Sequence, residues 1–272
     1  MGRGARALTA VDGLRITHIG GPTVLIERAG WVLLTDPTFD AAGGAYRFGW
    51  GTGSRKTAGP AIAPADLPPL DAILLTHDHH GDNLDVAGRA LLPAAGRVVT
   101  TASGARRLGG GALGLEPWAT TRLEAPGRPG ITVTATPCRH GPPGFGPVVG
   151  DVVGFALAWD GDDGGALWIT GDTVLFDGVR RVAGRIAVDV ALVHLGGVRF
   201  PVTGPLRFTM TAAGAAELIG LVRPRVAVPV HYEGWAHFRQ GRQAAERELA
   251  SAPEEVRRTI RWIPIGTPVD GL

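Results

Sequence analysis

The stretch Thr76-His77-Asp78-His79-His80-Gly81-Asp82-Asn83-Leu84-Asp85 sets three imidazoles and three carboxylates into nine positions, directly behind the apolar run 71–76. A short apolar run of this kind reads as a buried strand, so the cluster sits where a strand leaves its sheet. Three more sites follow the same rule. His140 in Thr-Pro-Cys-Arg-His-Gly-Pro, Asp172 in Thr-Gly-Asp-Thr and His231 in Val-Pro-Val-His-Tyr-Glu each come after strand-like residues. Such a chain needs a fold whose strand ends converge, because only then can imidazoles and carboxylates from distant segments meet. A simpler reading makes the cluster a solvated turn in which Asp82 or Asn83 caps the next helix. Capping by Asn83 is expected, yet it accounts neither for the repeated histidines nor for the three distant sites.

Periodicity predicts strands at 14–19, 23–27, Trp31–Thr35, 71–76, 98–101, Thr120–Leu123, 131–136, 154–159, 166–170, Val188–His194 and Val226–Val230. Helices are expected at 84–92, 103–108, Ala212–Val222 and 238–250, and a Gly/Pro-rich loop at 39–64. Two strands end in matching acidic turns, at Asp36 and at Asp172, which hints at two related sheet-rich halves. With 272 residues and 44% hydrophobic content, the chain can bury a large core, and one domain over 1–272 is expected.

Charge and cysteine content narrow the function classes. The 27 basic and 25 acidic residues are spread along the chain, without the Lys/Arg clusters that phosphate-backbone binding leaves, so nucleic acid is not the expected partner. The lone Cys138 excludes an intrachain disulfide and fits a reducing, cytoplasmic setting. Residues 1–15 show no apolar segment with a cleavage site, so no export signal is expected. The longest apolar runs are strand-sized, short of the ~20 residues that cross a bilayer. A small-molecule substrate is expected, with a homo-oligomer left open.

The order H-x-H plus Asp, a lone His, Gly-Asp-Thr and a late His resembles the metallo-β-lactamase-fold superfamily. Gly-Gly-Pro-Thr23-Val-Leu-Ile-Glu, Leu-Leu-Thr-Asp36-Pro-Thr-Phe and Asp66-Leu-Pro-Pro-Leu-Asp-Ala-Ile-Leu-Leu-Thr-His77-Asp-His79 are similar to the branch of ascorbate-phosphate lactonases and N-acyl-phosphatidylethanolamine phospholipase D. The likeness spans roughly 16–235. It implies an α/β fold, a four-layer αββα sandwich of two mixed β-sheets with outer helices. It also implies one or two divalent metal ions, zinc first and manganese or iron as alternatives. Carried over by position, His77, His79 and His140 are the implied ligands of one metal. Asp172 is the implied bridge, and Asp82 and His231 are the implied ligands of a second metal, Asp82 and Asp172 being catalytic. The family pattern is H-x-H-x-D-H, whereas this chain has one extra residue before Asp82 and Asn83 where the last His belongs. Asn is a poor ligand for such metals. Either His80 swings in as a replacement, or the second site is weakened. Asp36 is expected to hydrogen-bond a ligand imidazole from behind, with Asn83 beside it.

No G-x-S-x-G elbow occurs and Cys138 has no helix-terminus activation, so the implied nucleophile is water activated by metal. Trp50, Arg199, Phe200, Arg207, Tyr232 and Trp235 are candidates for a substrate pocket. His18, His194 and His237 read as structural or as neighbours of the pocket. The expected activity is hydrolysis of a small ester, lactone or phosphoester. The alternatives are a member of the fold with weakened or lost catalysis, and a di-iron redox protein.

Overall fold

Strands Arg15–Gly20, Thr23–Arg28 and Trp31–Thr35 pair as an antiparallel meander. Between the second and third, Ala29 and Gly30 both take positive φ, the two-residue turn whose twist matches that of the flanking strands. Trp31–Thr35 then runs parallel to Ala72–Leu74, which runs parallel to Val98–Thr101, and Leu113–Leu115 follows at the edge. With Val269–Asp270 at the opposite edge, these make a seven-stranded mixed sheet. The computed structural model describes residues 13–272, and the expectation of no export segment in the first residues lies largely outside them.

The second sheet has six strands, in the order Val226–Val230, Val188–His194, Ala166–Ile169, Val153–Trp159, Ile131–Pro137 and Thr120–Leu123. Its first three strands are mutually parallel. Val188–His194 shows why: Val190 and Leu192 enter the core between the sheets, while Ala191 and Val193 pack under the outer helices. A strand buried on both faces is read as an unbroken apolar run, as parallel strands usually are.

Ile16, Val24, Ile26 and Leu33 of the first sheet meet Ile131, Val133, Phe155, Leu192 and Val228 of the second in one apolar core. Outside the second sheet, Ala215, Leu218 and Ile219 of helix Ala212–Val222, with Ala245 and Leu249 of helix Arg242–Leu249, cover Trp168 and Ala191. Outside the first, Ala87 and Leu91 of helix Val86–Leu91 and Leu108 of helix Ala102–Leu108 cover Leu34, Ile73 and Leu75. The result is the four-layer αββα sandwich. Among the described residues no helix is long and apolar enough to cross a membrane.

Three local expectations are corrected. The loop 39–64 contains a hairpin, Ala45–Gly49 with Thr52–Arg55, whose strands are too short and Gly-rich to stand out by alternation. The helix after the cluster starts at Val86, and its cap is Asp85, whose side chain accepts from the Gly88 N–H at 2.8 Å; Asn83 lies too early to serve. The last long helix starts at Arg242, because Phe238 to Gln240 are drawn back to the Gly196 and Trp235 carbonyls.

Candidate metal centre

Parallel pairing puts strand ends side by side. Leu192 pairs with Ile169 and His194 with Val230, so Asp172 and His231, just past their strands, emerge at one edge of the sandwich. In the other sheet Thr35 pairs with Leu74, which brings Asp36 alongside Thr76 and His77. This is the carboxyl edge at which open α/β sheets generally bind ligands. His140 arrives three residues beyond Ile131–Pro137. Asp36 and His231 both hold positive φ, 33° and 57°, a backbone state that non-glycine residues adopt rarely and mostly at functional turns.

Two groups of side chains form there, both fully buried: His77, His80 and His140, and Asp82, Asp172 and His231. His80 Nδ1 lies 3.2 Å from His77 Nε2 and 3.2 Å from His140 Nε2. Hydrogen bonds behind the rings set their tautomers. The Phe208 carbonyl, 2.8 Å from His140 Nδ1, can only accept, so that nitrogen carries the proton and Nε2 offers its lone pair. Thr76 Oγ1 donates to Asp36 Oδ1 at 2.9 Å and lies 3.0 Å from His77 Nδ1, which therefore donates to it. His77 Nε2 is left bare. Burial, with the neighbouring imidazoles, holds the pKa of His77 and His80 well below the usual value, and burial lowers that of His140 to about 4. All three rings are neutral at pH 7.

In the second group two carboxylates flank His231 and, against burial, carry its pKa up to about 9. Burial raises the Asp172 pKa to about 7 even with His231 beside it. Burial would raise Asp82 too, but the imidazoles of His231 and His237 hold it well below the usual carboxylate range. His231 Nδ1 is 3.5 Å from Asp172 Oδ1 and its Nε2 is 3.7 Å from Asp82 Oδ2. Both Asp172 oxygens, Asp82 Oδ1 and His231 Nε2 are buried without a hydrogen-bond partner. Buried polar atoms are seldom left so, and the omission is costly. These orphaned atoms, and the bare Nε2 atoms of His77 and His140 that face His80 Nδ1, fit a divalent cation. The 3.2 Å spacing is close to the roughly 3.3 Å edge of a tetrahedron built on 2.0–2.1 Å zinc–nitrogen bonds.

The residues expected from the sequence divide as follows. His77, His140, Asp82, Asp172 and His231 come together, and His80 joins them. His79 does not: its Nε2 turns to the Val149 carbonyl and its ring is partly exposed. The extra residue before Asp82 shifts the loop, so the third histidine rather than the second faces inward. Asp36 reaches His77 only through Thr76, accepting both the Thr76 N–H at 2.7 Å and its hydroxyl. Asn83 donates to the same Thr76 oxygen at 3.4 Å. Tyr232 packs between His18 and Trp262, and Trp235 lies against Tyr46 and over Lys56. Arg207 holds the Gly197 carbonyl and Arg199 is exposed. None of these four lines the cavity beside the metal centre, whereas Trp50 and Phe200 do.

The sequence read His237 as structural or a neighbour of the pocket and missed its contact: it lines the cavity, buried with Nε2 2.9 Å from Asp82 Oδ2 and Nδ1 unpartnered. Its signal was its position six residues after His231 in the loop leaving the same strand. Asp85 was also missed. Its carboxylate accepts from Phe39, Asp40 and Gly88 N–H groups and from Lys56 Nζ at 2.8 Å, a buried ion pair that pins the start of 39–64 and the Val86 helix together.

A Beta-lactamase superfamily domain matches residues 31–232. A UPF0173 metal-dependent hydrolase of Carboxydothermus hydrogenoformans is 31% identical over 231 residues, covering 82% of this chain and 86% of the relative. Two solved structures share the fold: a possible metal-dependent hydrolase from Veillonella parvula (TM-score 0.78, 17% identity, 96% of this chain and 100% of that one) and an isothiocyanate hydrolase from Delia radicum gut bacteria (0.75, 19%, 94% and 98%). With its histidines and aspartates gathered at the carboxyl edge of an αββα sandwich, the chain belongs to the beta-lactamase superfamily of metal-dependent hydrolases.

Proposed function

We propose that this chain, as one domain, hydrolyses a small ester, lactone or phosphoester. His77, His80 and His140 hold one cation, and Asp82, Asp172 and His231 hold another. The observation that carries the reading is the pair of buried donor sets, in which both Asp172 oxygens, Asp82 Oδ1 and His231 Nε2 have no hydrogen-bond partner. Zinc is the metal proposed, because imidazole nitrogen and carboxylate oxygen at tetrahedral spacing suit it, with manganese or iron as the alternatives. A bound divalent ion supplies Lewis acidity that lowers the pKa of water toward neutrality and polarises the oxygen of the bond under attack.

The protein's own residues prepare that chemistry. Neutral His77, His80 and His140 present lone pairs without prior loss of a proton, and the two aspartates bring the negative charge that balances the ions. His237 holds one oxygen of Asp82 and leaves the other free. Phe48, Phe200 and Phe208 wall the cavity and exclude bulk water, which strengthens every electrostatic interaction inside. A cytoplasmic setting is supported by the unpaired Cys138.

The test is metal analysis of untagged protein beside a screen of p-nitrophenyl esters, lactones and phosphoesters with zinc or manganese added, run with an Asp172→Ala control. Stoichiometric metal is expected, with turnover about 10³-fold or more above the control. Metal-free protein that gains no activity on loading, or turnover untouched by Asp172→Ala, would overturn the reading.

A further inference from the structure

The cavity beside the metal centre is lined by Phe48, Phe145, Phe200, Phe208 and Val198, and it is continuous with His80, Asp82, His140 and His237. The rings form a packed wall. Phe48 and Phe200 lie 5.9 Å apart, Phe200 and Phe208 5.7 Å, and Phe145 and Phe208 6.1 Å, all edge-on as aromatic pairs prefer. Phe48 also stands 5.3 Å from the His80 ring, and Phe200 stacks on His237 at 5.3 Å. The apolar surface thus reaches to the proposed ligands themselves.

Among the described residues, no lysine or arginine lines this cavity. Of the cations near it, Lys56 is buried against Asp85, Arg139 lies over the Phe176 ring at 4.8 Å, Arg207 donates to the Gly197 carbonyl, and Arg199, between lining residues Val198 and Phe200, is exposed. A phosphoester's reacting oxygens would face the proposed cations, but its remaining charge would lie on this apolar wall with no fork of donors or lysine from the protein to meet it, which is penalised. At the mouth, Trp50 is 77% exposed and Val202, beside lining residue Thr203, is 62% exposed. Trp50 thus carries the cavity's apolar lining out to the surface. Trp50 also holds a positive φ of 51° between Gly49 and Gly51 at the hairpin tip, so the turn presents it at some backbone cost.

From these features we infer that the cavity selects an uncharged ester or lactone with an aryl or alkyl acyl group, and discriminates against phosphorylated substrates. The acyl chain lies along Phe48, Phe200 and Phe208, with its carbonyl at the metal centre. This narrowing rests on the hydrolase reading above, so its test includes a measurement that needs no turnover.

On zinc-loaded full-length protein, kcat/KM is measured for p-nitrophenyl acetate, propionate, butyrate and phenylacetate, and for p-nitrophenyl phosphate and bis(p-nitrophenyl) phosphate. The carboxylic esters should gain about fourfold per added methylene, the transfer free energy of one buried CH2 group. The phosphoesters should fall about a hundredfold or more below butyrate, as expected where phosphate charge beyond the cations' reach meets an apolar wall without a donor. Phe48→Ala, on the surface hairpin, should flatten the chain-length series, and Phe48→Arg should raise phosphoester turnover relative to butyrate. In parallel, saturation-transfer NMR compares binding of phenylacetamide and phenyl phosphate. Preference for phenylacetamide with no ester turned over sustains the cavity assignment while the hydrolase reading fails. Ester turnover that is flat with chain length, or phosphoesters hydrolysed as fast as butyrate, overturns the cavity assignment and leaves the hydrolase reading standing.

Discussion

Nε2 of His237 stands 2.9 Å from Oδ2 of Asp82, a contact that spans 155 residues of sequence and lies wholly inside the protein. The family pattern has a histidine where this chain has Asn83, and Asn83 is turned to Thr76. His237 does not replace that ligand; it fixes one oxygen of Asp82 from behind and leaves the other unpartnered. His237→Ala should weaken metal binding by about 10–100-fold, the usual effect of removing a partner that orients a ligand. Isothermal titration of the metal-stripped variant measures it, and an unchanged zinc affinity would show that Asp82 needs no such support.

His79 and His80 separate cleanly by experiment. His80→Ala should lower zinc affinity by at least about tenfold, because it removes the nitrogen placed 3.2 Å from two other imidazole nitrogens. His79→Ala should leave zinc content near that of the parent, its ring being turned to the Val149 carbonyl. The reverse ranking in bound metal per chain would return the first position to His79.

Thr76 relays Asp36 to His77. In Thr76→Val the side chain keeps its shape but loses the hydroxyl, so His77 Nδ1 loses its acceptor and the ring no longer has a preferred tautomer. Zinc affinity should drop by about 10–100-fold while the fold persists. Thr76→Ser, which keeps the hydroxyl, should restore most of it.

The Lys56–Asp85 pair is buried on both sides. Lys56→Ala strips the cation from a carboxylate already committed to three backbone N–H groups, and it should destabilise the protein by about 3–5 kcal/mol. Lys56→Met with Asp85→Asn together should lose less than the sum of the single changes. Chemical denaturation reads both, and additive losses would mean the two groups act independently.

The metal-stripped protein should lose stability on the alkaline side of neutrality. Burial draws the His231 pKa down, but the carboxylates of Asp172 and Asp82 carry it up to about 9. A folded pKa above the ordinary 6.5 contributes stability that is complete below 6.5 and lost as pH rises through 9. Asp172, raised by burial to about 7, acts in the same direction over a lower range. The imidazoles of His77, His80 and His140 have the opposite sign, since their lowered pKa values withdraw stability as pH falls below 6.5. Melting after chelation should therefore occur at a lower temperature at pH 9 than at pH 6.5, and zinc should remove most of the difference. A melting temperature that rises between those pH values would show that His231 is not held charged.

The sequence alone determined which segments end in chemistry. Apolar runs before His77, His140, Asp172 and His231 mark strands by their period, and a histidine or aspartate just past a strand must lie at a sheet edge. That much is one-dimensional, since burial alternates along a chain in a way residue types record, and most strand positions followed from it. The tertiary structure alone decided which side chains meet. Whether His79 or His80 faces the centre depends on the path of one loop residue and on the packing around it. Whether His237 touches Asp82, or Lys56 finds Asp85, depends on contacts between elements far apart in sequence. The walls of the cavity were hidden for the same reason: Phe48 of the hairpin, Phe145, and Phe200 with Phe208 come from three Gly- and Pro-rich segments without a clear period, and only the folded sandwich brings them edge to edge.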